Sequence, residues 1–185
     1  MLASAVMLTG CTPNDPETAV SPVQAVTRTT ERLQQSNDVY TRRGDDGVLI
    51  TKVQEPAPKV WDALKAALAD RNVTLTVFDR SGGRMGDTAM VFMRRWSGQT
   101  ASYYFDCGQS MTGRRADEDR LRAVLLAQLT RLREDTIAVA VHFSAFASPI
   151  TMGASAATAQ CTSTGRGEMD LLDDVRRRLG IVQAR

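Results

Sequence analysis

Two apolar stretches divided by three charged residues constrain this chain more than any other feature. Leu121, Ala123, Leu125, Ala127 and Leu129 alternate with other residues, the two-residue period of a strand with one buried face. Leu121, Leu125, Leu129 and Leu132 also fit a helix. Acidic residues at the start of that segment and arginines near its end would suit a helix dipole. The next run, Ile137-Ala138-Val139-Ala140-Val141-His142-Phe143, is β-branched and apolar and reads as a strand. Arg133-Glu134-Asp135 between them is short enough for a hairpin. A long hairpin is therefore expected, with 117–133 as its first arm. It needs helices or further strands to cover its apolar face.

The flanking segments supply both. Val48 to Val53 reads as a strand. Pro58 suits the first turn of a helix, where a missing N–H costs nothing. Val60, Trp61, Leu64 and Leu68 then recur at helical spacing, with Lys59, Asp62, Lys65 and Asp70 between them. Val73 to Asp79 alternates as a strand, and Ser81-Gly82-Gly83 is a hairpin turn into a strand over 85–94. Trp96-Ser97-Gly98 turns the chain again. Ala101, Tyr103, Phe105 and Cys107 are expected on one face of the strand that follows. Met152 to Thr162 reads as a last strand. Glu168, Leu172, Val175 and Leu179 mark a terminal helix with arginines at its end and Gly180 as its stop. The fold class expected is α+β, with a single curled antiparallel sheet packed against helices.

The first 38 residues have a different character. The apolar run Leu2 to Leu8 leads into Leu8-Thr9-Gly10-Cys11, and a polar, proline-bearing segment begins at Thr12. This order resembles the lipobox of bacterial lipoproteins. The resemblance implies a diacylglycerol thioether on Cys11, removal of residues 1–10 as a signal peptide, and acylation of the new amino group. Two or more acyl chains hold a protein stably on a bilayer. Thr12, where an aspartate would favour the inner membrane, points to the outer membrane facing the periplasm. No Lys or Arg precedes Arg28, so the basic start of a signal peptide is missing and translation is expected to begin further upstream. Residues 11–38 read as a lipidated flexible tether, in which a short helix over 23–35 is possible. Residues 39–182 read as the folded domain, and about 145 residues suffice for one core.

The order strand, helix, antiparallel meander, helix also resembles the helix-grip architecture. Among lipoproteins it is similar to the repeated domains of the C lipoprotein of the outer-membrane β-barrel assembly machine. The residues that carry this likeness are Leu49 to Val53, the Trp61-to-Leu68 helix, and Val73 to Asp79 running into Ser81-Gly82-Gly83. It spans Val48 to Leu179 as one domain, and its motifs are patterns of fold rather than of chemistry.

The residues that carry chemistry are few. With 23 basic and 21 acidic side chains the formal charge is +2, which argues against a nucleic-acid partner. Arginine doublets at 42–43, 94–95 and 114–115 read as solvated surface. Besides Cys11, the chain has Cys107 and Cys161, and in an oxidising compartment such a pair usually forms a disulfide. It would close a loop of about 55 residues, worth about 4 kcal/mol in the chain-entropy model. Two buried thiols are the rival reading. The single histidine, His142, lies within an apolar strand and reads as a structural residue rather than a catalytic base. No serine lies in Gly-x-Ser-x-Gly, and a triad built on His142 has little to recommend it. With one histidine and no Cys-x-x-Cys, a metal site is poorly supported, and no cofactor is implied. Gly82 to Gly86 lacks the end of a phosphate loop, and Asp117-Glu118-Asp119 lacks the spacing of a calcium loop.

The expected function is that of a membrane-anchored, non-enzymatic envelope lipoprotein, an accessory or scaffold for envelope proteins. The alternative is a carrier of a lipid or small apolar ligand in the groove between sheet and terminal helix. Met85, Met90 and Met93, clustered on one strand, would line that groove, although core packing also explains them.

Overall fold

A computed structural model describes residues 42–43, 48–150 and 157–181. The long hairpin is its backbone. Two strands, β8 (Arg120–Arg133) and β9 (Thr136–Ser148), pair antiparallel along almost their whole length, from Arg120↔Ser148 to Arg133↔Thr136. The alternation of Leu121, Ala123, Leu125 and Ala127 puts these side chains on one face, opposite Ala147, Ala145, Phe143 and Val141. The segment over 120–133 is a strand, its backbone paired with β9 on one edge and with the strand over Arg84–Met93 (β4) on the other.

Around the hairpin the sheet runs in the order β1-β2-β9-β8-β4-β3, where β1 is Arg42–Arg43, β2 is Val48–Val53, β3 is Val77–Asp79 and β4 is Arg84–Met93. A small separate hairpin joins β5 (Arg95–Trp96) to β6 (Gln99–Thr100). The first half of β9 pairs with β2, and its last residues pair with β10 (Ala159–Ser163), which in turn pairs with β7 (Phe105–Asp106). The sheet is mostly antiparallel and does not close into a barrel.

Two long helices cover one face. Helix α1 (Ala57–Ala69) buries Val60, Trp61, Ala63, Leu64, Ala67 and Leu68, the stripe the sequence spacing sets out. Asn72, with φ of 54°, reverses the chain after it, a conformation asparagine tolerates. Helix α4 (Arg166–Arg178) buries Leu171, Leu172 and Val175. Its end is a Schellman motif, in which the Gly180 amide donates to the Arg177 carbonyl and the Ile181 amide to that of Arg176. The helices are tied together by Arg71, which donates to the Asp174 carboxylate at 2.8 Å and to the Asp170 carbonyl at 2.9 Å. Arg178 adds ion pairs to Asp174 and Asp70. Two four-residue helices, α2 (Ala101–Tyr104) and α3 (Arg115–Glu118), complete the four among the described residues.

Three expectations change. Residues 101–104 are a helical turn rather than a strand, so that Ala101 and Tyr104 both point inward. The Thr164 hydroxyl caps that turn by donating to the Tyr103 and Tyr104 carbonyls. Residues 73–76 leave the ladder because side chains take over its bonds: the Thr76 hydroxyl donates to Asp87 and accepts from the Thr88 amide. Among the described residues the final strand covers Ala159–Ser163, with 157 and 158 outside it, and residues 151–156 lie outside the described residues.

Candidate functional site

The two ends of the hairpin differ, and each carries a cavity of about 420 Å³. The first lies where α1 begins, beside the β3–β4 turn and the end of β8. Its inner wall is Trp61 and Ile137, with Pro58 and Leu129 nearer the mouth. Its rim is cationic: Arg80 and Arg131 are both exposed, and among the described residues neither makes an ion pair. Among the described residues no aspartate or glutamate lines it.

The turn at its mouth is built by Asp79. Its carboxylate accepts from Arg84 at 2.8 Å, from the Gly82 amide at 2.9 Å and from the Ser81 hydroxyl at 2.7 Å. The Arg84 bond foremost, with those from Gly82 and Ser81, holds this carboxyl well below the usual carboxylate range. Asp79 is thus matched within its own turn. Gly83 presses that turn onto β8, its carbonyl accepting from the Leu129 amide at 2.7 Å. With φ of +65°, and only 2.4 Å between an added Cβ and the Leu129 oxygen, this position admits only glycine.

The second cavity lies beside β7 and the start of α4, with Cys107, Asp106, Arg114 and Arg166 in its wall. Its charges are mixed, because Asp106 stands among the two arginines. Arg166 also stacks on the Tyr103 ring, 4.9 Å from its centre. Behind this cavity Phe92, Trp96, Tyr104, Phe105 and Phe143 pack ring against ring. Gly167 lets α4 approach them, since a Cβ there would sit 2.6 Å from the Phe143 ring.

Cys107 and Cys161 form a disulfide. β7 and β10 pair Thr162 with Asp106, so the next antiparallel position brings Cys161 opposite Cys107. The sequence residues expected to form a groove do not share one. Met85 and Met90 are buried in the core beneath the helices, whereas Met93 is 41% exposed on the opposite sheet face. A bulge between Asp87 and Met90 inserts one residue into β4 and reverses which positions face inward. Neither cavity includes any of the three methionines.

His142 stands on the outer sheet face, with Leu126 and Val48 as its cross-strand neighbours. Asp119 pairs with Arg115 at 3.0 Å, and the Asp117 carboxylate accepts from the Ser102 amide. Among the described residues no group of three or more His, Cys, Asp or Glu side chains is placed to hold a metal ion, and no helix is long and apolar enough to cross a membrane. Cys11 lies outside the described residues. Arg80 and Arg131 gave no sequence signal, since only the fold brings them to one rim. A scan against protein-family models finds no match to this chain, and no curated protein matches it significantly.

Proposed function

We propose that this protein is a membrane-anchored envelope lipoprotein whose helix-grip-like domain serves, without catalysis, as an accessory or scaffold for other envelope proteins. The observation that carries this reading is the combination of Leu8-Thr9-Gly10-Cys11 with a Cys107–Cys161 disulfide. The first resembles a lipidation signal, and structural disulfides belong to compartments outside the reducing cytosol. Thr12 after the cysteine favours the outer membrane, facing the periplasm.

The contact surface in this reading is the sheet face turned away from the helices. Val91, Arg122 and Phe146 stand there in one cross-strand row, with Met93 and Arg120 in the next. Val91 is 60% and Phe146 49% exposed. Apolar and aromatic side chains interleaved with arginine are the composition of protein interfaces.

Two measurements test the proposal. Intact mass of the membrane-extracted protein should show an acylated Cys11, and Cys11→Ala should release the chain from membranes. An unmodified Cys11 in a soluble chain would refute the anchor. A photo-crosslinker at Phe146 should repeatedly capture one envelope protein, and Val91→Asp should abolish the capture. Failure to capture any envelope protein would refute the scaffold role.

A further inference from the structure

We propose that the cavity between the start of α1 and the β3–β4 turn binds a phosphate ester, its anionic oxygens held by Arg80 and Arg131 and its apolar remainder resting on Pro58 and Trp61. The charge balance of the lining points to an anion. Two arginines line the cavity with no carboxylate among its described lining residues, in a protein whose overall charge is only +2. The nearest acid in the turn, Asp79, is engaged by Arg84, Ser81 and Gly82. Glu55, just before α1, pairs with Lys59 at 3.0 Å. The two arginines therefore keep their charge for a ligand.

The other lining groups agree with this class. Guanidinium forks match phosphate oxygens in pairs, so two of them on one rim can grip a tetrahedral anion from two sides. The first turn of α1 carries no acidic side chain and no side-chain cap, so no carboxylate within the helix opposes an anion at its positive end. The wall beneath is apolar, which suits an ester substituent better than inorganic phosphate. About 420 Å³ falls in the range of small-molecule sites. Two sources offer this chemistry, the headgroup of an anionic phospholipid and a soluble phosphomonoester. The inference rests on the cavity alone and does not require the anchor at Cys11.

The test uses the full chain carrying Cys11→Ala, so that acylation contributes nothing. Calorimetric titration with glycerol phosphate, and with vesicles of phosphatidylglycerol against vesicles of phosphatidylcholine, measures the two sources separately. Saturable binding of glycerol phosphate would support the site with a soluble ligand. Binding confined to phosphatidylglycerol vesicles would support it with a lipid headgroup. In either arm Arg80→Gln and Arg131→Gln should each weaken binding about tenfold, the loss of one charged hydrogen-bonding partner. Arg94→Gln, an exposed position just past the far end of β4, should leave it unchanged. Near-ultraviolet circular dichroism would verify that each variant is folded. No binding in either arm, or equal losses for Arg94→Gln and the cavity variants, would overturn the proposal.

Discussion

The two ends of the β8–β9 hairpin are built from the same alternating strands and each carries a cavity, yet at one the core behind the cavity is sealed by packed rings and a disulfide and at the other it is left open. At the end near Phe143 and Ala147 the chain concentrates its aromatic rings, draws α4 in through Gly167 and bonds β7 to β10 through Cys107 and Cys161. At the end near Arg131 and Ile137 it places Pro58, a glycine turn and two arginines around a cavity. Side chains that fill space and a covalent link serve stability. Short side chains and charges facing no partner serve stability poorly, which is why the open end is the better place to look for a ligand.

Four experiments would break or sharpen this contrast. Removing the disulfide by Cys107→Ser with Cys161→Ser should have the largest effect, a loss of about 4 kcal/mol in urea unfolding. Hydrogen exchange should report the loss first at β7 and β10. Equal loss of protection at the β3–β4 turn would mean that the ends are not independent. Gly167→Ala should cost about 1–3 kcal/mol, the usual penalty for forcing a methyl group into a packed site. A neutral result would show that the sealed end has slack.

The third experiment concerns the bridge between the helices. Burial raises the carboxyl of Asp174, but the hydrogen bond and charge of Arg71, with Arg178 and Arg177, bring it below the usual range. A carboxyl lower in the folded than the unfolded state adds stability above the ordinary aspartate value of about 4. That contribution should fade as pH falls through the lowered folded value. Arg71→Met should flatten this acid limb in unfolding measured against pH, and an unchanged slope would remove Asp174 from the account. The smallest effect is expected at the open end. Arg80→Gln and Arg131→Gln should shift stability by no more than about 0.5 kcal/mol, as exposed side chains do. A larger loss in thermal unfolding would assign them a structural task.

Much of the sealed frame was legible in the sequence because its signals are periodic and long. The stripe of α1, the alternation of β8 and β9, the arginine-rich end of α4 and the cysteine pair each repeat or match over many residues. What escaped depends on contacts between distant residues. The alternation of Ala101, Tyr103 and Phe105 suggested a strand, but Thr164 caps a helical turn there from a remote part of the chain. Thr76 left the ladder for Asp87. A strand without interruption puts Met85 and Met93 on one face; the bulge after Asp87 turns Met93 outward and Met90 inward. The cavity arginines sit in a turn and at a strand end, where sequence carries no period at all.

The bulge in β4 has a further consequence. Beyond it, β4 extends past the three residues of β3, so among the described residues no strand pairs with that part of its outer edge. The Asp87 carboxylate accepts from the Ala89 amide at 2.8 Å and holds the backbone out of line at that point. A second molecule could not extend the hydrogen-bond ladder across this step in register. Irregularity at an otherwise sticky edge is a defence against polymerisation, and it should matter most where many copies are crowded together.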